Sequence, residues 1–222
     1  MNVLSLPTWF IHVSSVLEWV AAIWLIWTYS EVTQNRAWKW FALAMLPALV
    51  SAMCACTWHY FDNAPDLEWL VTVQATMTVV GNFTLMVAAW LLWRSSTGKP
   101  NVQEVRLGAI VPFFLALPTL PISKEALFAI SLFPYLAFLW FATRSRQMPR
   151  LALVGFYMTL LFVAVTIPAG IYSKVAYGES LANVDWLHGS AESFLTLSNI
   201  LVVLGFRQAI VEQQEKFPAK MT

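Results

Sequence analysis

The chain has 222 residues, of which 59% are hydrophobic and only 11% charged, with a formal net charge of +1. Soluble domains carry about a quarter charged residues, and here the apolar residues run together in blocks such as "VLEWVAAIWLIWTY" and "LALVGFYMTLLFVAVTIPAGIY". Composition therefore excludes an ordinary soluble domain, and the lack of a basic block excludes a nucleic-acid partner. What remains is an all-α, polytopic membrane protein whose main partner is the lipid bilayer.

The opening stretch "MNVLSLPTWFIHVSS" has no Lys or Arg before its apolar part. It is read as neither a signal peptide nor a transit peptide, so a bacterial or organelle-encoded protein is expected. Seven spans follow, at 8–29, 38–59, 67–93, 107–123, 126–143, 150–173 and 187–207. The fourth is short and holds Pro112, Pro118 and Pro121, which is tolerated where neighbouring helices satisfy the freed carbonyls.

Under this scheme Arg36, Lys39, Arg94, Lys99, Arg106, Arg144, Arg146, Arg150, Arg207, Lys216 and Lys220 fall on one side, against Lys124 and Lys174 on the other. The positive-inside rule then puts the N-terminus outside (lumenal) and the C-terminus in the cytoplasm. Trp9, Trp58, Trp69 and Trp186 mark the outer ends of spans, and Trp38, Trp40, Trp90, Trp93 and Trp140 the inner ends. Two interfacial belts account for most of them. Cys54 and Cys56 lie inside an apolar segment and report little about redox compartment.

With the fourth span as a linker (101–124), the chain divides into a half at 1–100 and a half at 125–222, in a 3+1+3 parallel arrangement. "NAPDLEWL" before the third span resembles "NVDWL" before the seventh. Gln74 precedes Thr78 by four residues, as Glu192 precedes Thr196, and "MTVVGN" parallels "LTLSN".

All three histidines map to the outer half of the membrane: His12 starts the first span, His59 ends the second and His188 starts the seventh. His188, Glu192, Thr196 and Asn199 share one helical face, and Gln74, Thr78 and Asn82 form a similar stripe on the third span. Counting along each helix puts Glu192 about 7 Å, Glu18 about 15 Å and Asn199 about 18 Å below the surface. A charge at such depth is costly and marks a functional-site candidate. The expected site is a polar pocket that opens outward and narrows toward Glu18.

His188, Glu192 and Glu18 are the catalytic candidates in that pocket, and His12, His59, Gln74, Asn82, Asp185, Asn199, Trp19 and Trp186 the ligand-binding ones. Asp185 and Asp66 also fit as helix N-caps, and the amides and threonines as interhelical hydrogen bonds. No metal ligand is assigned. In "CACTWHYFDN" Cys56 and His59 share a face and His12 and His188 would complete four ligands, but nothing in the sequence forces them together. Metal or tetrapyrrole ligation is the lesser reading. The seventh span has no lysine for a retinal Schiff base, and no Gly-rich phosphate loop exists.

These motifs carry a family resemblance. "MLPALVSAMCACTWHYFDN" and "QATMTVVGNFTL" in the first half, with "SLFPYLAFLWF", "TIPAGIY" and "LANVDWLHGSAESFLTLSNILVVLGFR" in the second, resemble the hypothetical chloroplast reading frame forty-nine-like proteins of cyanobacteria and plastids. The resemblance covers nearly the whole chain, and in that family the two halves are separate domains of unknown function. It implies an oxygenic photosynthetic organism and a thylakoid or plasma membrane, and it supplies no reaction or catalytic residue.

Three functions are expected, in this order. The first is binding of a pigment, quinone or isoprenoid in the outer pocket, in support of photosynthetic membrane biogenesis and in company with photosynthetic complexes. The second is an intramembrane isomerase, cyclase or hydratase acting on an isoprenoid, with His188 shuttling a proton, Glu192 as acid or base and Glu18 stabilising positive charge. The third is a proton-coupled transporter. No cofactor is identified, and the residues do not decide whether the protein is catalytic.

Overall fold

The computed structural model describes residues 4–97 and 122–216. Among them the chain is helical throughout, with no strand. In order come α1 (Leu6–Thr33), α2 (Ala37–Ala44), α3 (Leu46–Tyr60), α4 (Trp69–Ser96), α5 (Lys124–Ser145), α6 (Arg150–Tyr177) and α7 (Asp185–Lys216). Short 3-10 turns at Pro65–Leu67 and Leu181–Asn183 lead into α4 and α7.

Counting α2 and α3 together, six helices are long and apolar enough to cross a membrane. None buries more than 44% of its apolar window, and α6 buries only 17%. Phe10, Leu17, Trp24, Phe133 and Ile171 stand exposed along the bundle. In water such continuous apolar surface would drive association, whereas acyl chains cover it at no cost. The molecule fits a membrane protein.

Five of the predicted spans recur as helices that run a few residues past their apolar cores. α7 runs furthest, because its polar end "RQAIVEQQEK" is rich in helix formers. The predicted second span is not one straight helix: it breaks between α2 and α3, where Pro47 sits in the first turn of α3. A proline cannot donate to the preceding turn and crowds it. The predicted fourth span, with Pro112, Pro118 and Pro121, lies outside the described residues apart from Ile122 and Ser123.

Helix directions follow from pairwise contacts. Ser5 N donates to Asp185 Oδ1 at 2.8 Å, and Tyr29 rests edge-on against Phe206, so α1 and α7 run parallel. Glu68 pairs with Lys124, Asn82 Nδ2 donates to the Ser131 carbonyl, and Gln147 Nε2 donates to the Leu92 carbonyl. Hence α4 and α5 are also parallel. α3 runs against α4 through Ser51 Oγ and Thr78 Oγ1 at 2.9 Å. α6 runs against α7 through Thr159 Oγ1 and Ser198 Oγ at 2.8 Å. At Gly205 a Cβ would lie 2.2 Å from Ala152 N, so only glycine lets α6 and α7 approach this closely.

α1, α4, α5 and α7 therefore all start at one end of the bundle, the leading end, and finish at the trailing end. The chain leaves α4 at the trailing end and enters α5 at the leading end. Among the described residues Arg36, Lys39, Arg94, Arg144, Arg146, Arg150, Arg207 and Lys216 lie at the trailing end, and Lys124 and Lys174 at the leading end.

The core fills the trailing half, where Tyr29, Trp38, Phe41, Phe138, Phe156 and Phe206 bring together α1, α2, α5, α6 and α7. Trp38, expected in an interfacial belt, is instead 2% exposed at the centre of this core. Trp140, 49% exposed with Arg144 stacked over it, and Trp186 at 58% keep to the surface.

Candidate functional site

The leading half holds the polar residues. His12 lies two turns into α1, His59 in the last turn of α3 and His188 in the first turn of α7. Their rings form an almost equilateral triangle, with centroids 4.9, 4.9 and 5.0 Å apart. His188 Nε2 lies 3.1 Å from His12 Nε2 and 3.2 Å from His59 Nε2. All three ligand atoms fall within 4.8 Å of one another. The rings are buried, at 6%, 4% and 8% exposure.

Each ring has a local reason to be there. Gly189 faces Thr8, whose Oγ1 would sit 2.5 Å from any added Cβ, so the missing side chain lets α1 and α7 close until His12 and His188 touch. Asp185 holds the starts of the same two helices together through Ser5 N.

His59 is oriented by Asn63. The two approach at 2.7 Å between His59 Nδ1 and Asn63 Oδ1, while Asn63 Nδ2 donates to the Ala182 carbonyl and to Asn183 Oδ1. Because Asn63 Oδ1 accepts, His59 Nδ1 carries the proton and its Nε2 lone pair faces the cluster. Asn63 is in the left-handed region, φ 56, which asparagine enters more readily than most residues. The Thr8 backbone interacts with the His12 ring, yet His12 Nδ1 is buried without a hydrogen bond.

Three ring nitrogens within 4.8 Å of one another, with His188 Nε2 in contact with the other two, can share a proton or a cation. In the proton case one Nε2–H serves two lone pairs at once. In the metal case, tetrahedral Zn–N bonds of about 2.05 Å set neighbouring nitrogens about 3.3 Å apart. Two edges of this triangle, 3.1 and 3.2 Å, sit close to that spacing. The orienting contact from Asn63 is the kind that accompanies metal-bound imidazole.

The other predicted residues divide by depth. Asp185 sits at the leading end on the Ser5 amide. Glu192, one turn below His188, interacts with Cys56 of α3, whose thiol donates to the His12 carbonyl at 3.7 Å. Deeper still, Asn199 Nδ2 donates to Ser15 Oγ and Glu18 Oε2, each at 3.2 Å. Gln74 and Asn82 lie elsewhere, in the seams of α4 with α3 and α5. Trp19 packs on the hydrophobic core, and Trp186 is exposed on the outside of the bundle. Asn63, Thr8 and Ser15 are the contributors that sequence reasoning missed. His59 and Asn63 do show a four-residue spacing at a helix end, the only local signal available.

Family comparisons add descent. Two family models, each described as a protein of unknown function, match the chain: DUF2499 over residues 3–91 and DUF3593 over residues 124–211. A "Ycf49-like protein" of Synechocystis sp. is 57% identical over 104 residues, covering 99% of that protein and 47% of this chain. The chain belongs to the Ycf49-like family. The "Uncharacterized protein ycf49" of Cyanophora paradoxa is 41% identical over 85 residues, 83% of its length and 38% of this chain. No solved structure matches. His12 and His59 fall in the first matched segment and His188 in the second, so the triangle straddles the two.

Proposed function

We propose that this Ycf49-like protein binds a first-row transition-metal ion through His12, His59 and His188, on the outer side of a thylakoid or plasma membrane. The observation that carries the reading is the convergence of three buried Nε2 atoms from three helices. Imidazole suits zinc, copper, iron and nickel alike. The sequence alone ranks an organic ligand above a metal; the two short edges at His188 Nε2 are the ground for placing the metal first here.

The membrane frame supports the placement. The described helices α4 and α5 both run from the leading to the trailing end, and the reading keeps the seven crossings expected from the sequence. By the positive-inside rule, the basic residues at the trailing end favour that side as cytoplasmic and the leading end as outer or lumenal. The relatives from a cyanobacterium and from Cyanophora are the ground for a photosynthetic membrane.

Full-length protein stripped with a chelator and titrated with Zn2+ or Co2+ is expected to take up about one ion per chain at a nitrogen-rich site. His188→Ala is expected to lose it, together with the visible absorption of the Co2+ form. Wild-type protein that takes up no ion, or a variant that binds as wild type does, overturns the reading.

Binding of a pigment, quinone or isoprenoid stays as a second reading because of one feature. An apolar crevice of about 340 Å³, lined by Val20, Ile23, Trp24, Trp27, Leu46 and Leu49, opens between α1 and α3, within the range of small-ligand sites. A prenyl lipid retained by wild type and released by Trp24→Ala would carry it.

A further inference from the structure

Below the imidazoles the polar face of α7 continues. Glu192, Thr196 and Asn199 follow His188 at helical spacing, and two of them lack the partners that buried polar groups require. Glu192 lies deep among protein atoms, with only part of its surface accessible. Its carboxylate takes part in no hydrogen bond or ion pair among the described residues.

Thr196 Oγ1 is buried and also without a partner. This is unusual within the molecule. Thr28, Thr33, Thr76 and Thr166 each donate to the carbonyl four residues back, the ordinary resort of a threonine in a membrane helix. Thr196 leaves that bond unmade. Two unmatched oxygen groups on successive turns, between an imidazole cluster above and the Asn199–Glu18 pair below, make a row of cation ligands rather than interhelical cross-links.

The row ends abruptly. Beyond Asn199, Phe206 meets Tyr29 and Trp38 at ring separations of 5.6 and 5.5 Å, and Trp38 is almost fully buried. Polar ligands thus lead from the leading end to mid-membrane, and an aromatic layer closes the rest.

We propose that Glu192 and Thr196 form a transit site for the cation captured by the three histidines. They pass it to Glu18, and the protein carries a divalent transition-metal ion inward from its leading end. Nitrogen ligands near the leading end select the ion, and oxygen ligands below hold it loosely enough to let it move on, as conduction requires. The aromatic layer must part for release at the trailing end. This inference rests on the histidine reading.

The test uses full-length protein in liposomes enclosing a Zn2+-sensitive dye, with Zn2+ added outside. Wild type is expected to admit Zn2+. Glu192→Gln is expected to slow entry on the order of tenfold, the scale of losing a charged ligand. Thr196→Val, close in shape and without the hydroxyl, is expected to slow entry by a smaller factor and controls for misfolding. Entry at the wild-type rate in both variants overturns the transit site. Wild type that binds one Zn2+ but admits none also overturns it and leaves the histidine site standing. Wild type that neither binds nor admits Zn2+ overturns both.

Discussion

Two seams of parallel helices run through this bundle, and they are built alike. α1 meets α7 and α4 meets α5. A carboxylate ties each seam at the leading end, Asp185 to the Ser5 amide in one and Glu68 to Lys124 in the other. An asparagine cross-links each further down, Asn199 to Ser15 and Asn82 to the Ser131 carbonyl. Each seam is flanked by an antiparallel neighbour with a hydroxyl pair, Thr159 with Ser198 and Ser51 with Thr78.

The fillings differ. Near the leading end the first seam holds His12 and His188, whereas the second holds Ala75, Val79 and Leu127. The cross-links of the two seams match in kind and in order along the helices. That match teaches that the scaffold does not demand the histidines: a purely apolar filling serves the same joint. Burying three imidazoles costs more than burying aliphatic carbons, and the second seam carries no such cost.

Disturbing one seam and then the other sharpens that contrast. The largest effect is expected from metal itself. Zn2+ at a hundredfold excess over its Kd should stabilise wild type by about 2.7 kcal/mol, and thermal unfolding in detergent should show no such shift for His188→Ala.

Next comes Gly189→Ala, whose Cβ collides with Thr8. It is expected to cost about 2 kcal/mol through overpacking and to part His12 from His188, so unfolding and Zn2+ titration should both report it. Asn63→Ala removes the acceptor that orients His59. A tenfold to hundredfold loss of metal affinity is expected, the usual effect of losing an orienting partner, together with a lower unfolding midpoint of the apo protein, because the bonds to Ala182 and Asn183 go and alanine is left at a positive φ.

In the second seam Asn82→Ala should cost only about 0.6 kcal/mol, the average for an interhelical hydrogen bond in a membrane protein, and should leave Zn2+ affinity untouched. Smallest of all is Lys124→Ala. Its partner Glu68 is 59% exposed, and exposed ion pairs contribute about 0–0.5 kcal/mol. A change in metal affinity in either of these last variants would break the separation of the two seams.

Chain-local information was enough for the helices. Whether a segment partitions into lipid depends on a sum of side-chain transfer energies over about 20 residues, so the six described spans, and the sorting of Arg36, Arg94, Arg144 and Lys124 to opposite ends, are legible without a fold. The stripe His188, Glu192, Thr196 and Asn199 is equally local, because helical periodicity alone places it on one face.

Contacts between helices were not legible in that way. Inside a membrane no hydrophobic pattern distinguishes the side of a helix that meets a neighbour from the side that meets lipid. Nothing local says that Gly189 admits Thr8 and so brings His12 against His188, that Asn63 reaches back to His59, or that Trp38 enters the core while Trp140 stays at the surface. Gln74 and Asn82, polar and periodic like the site residues, proved to serve a different seam. The sequence by itself determined which segments are apolar enough to be immersed and which residues share a helix face. Only the tertiary structure decided which of them meet, because that choice rests on a few ångströms of backbone approach at small residues rather than on any sum along the chain.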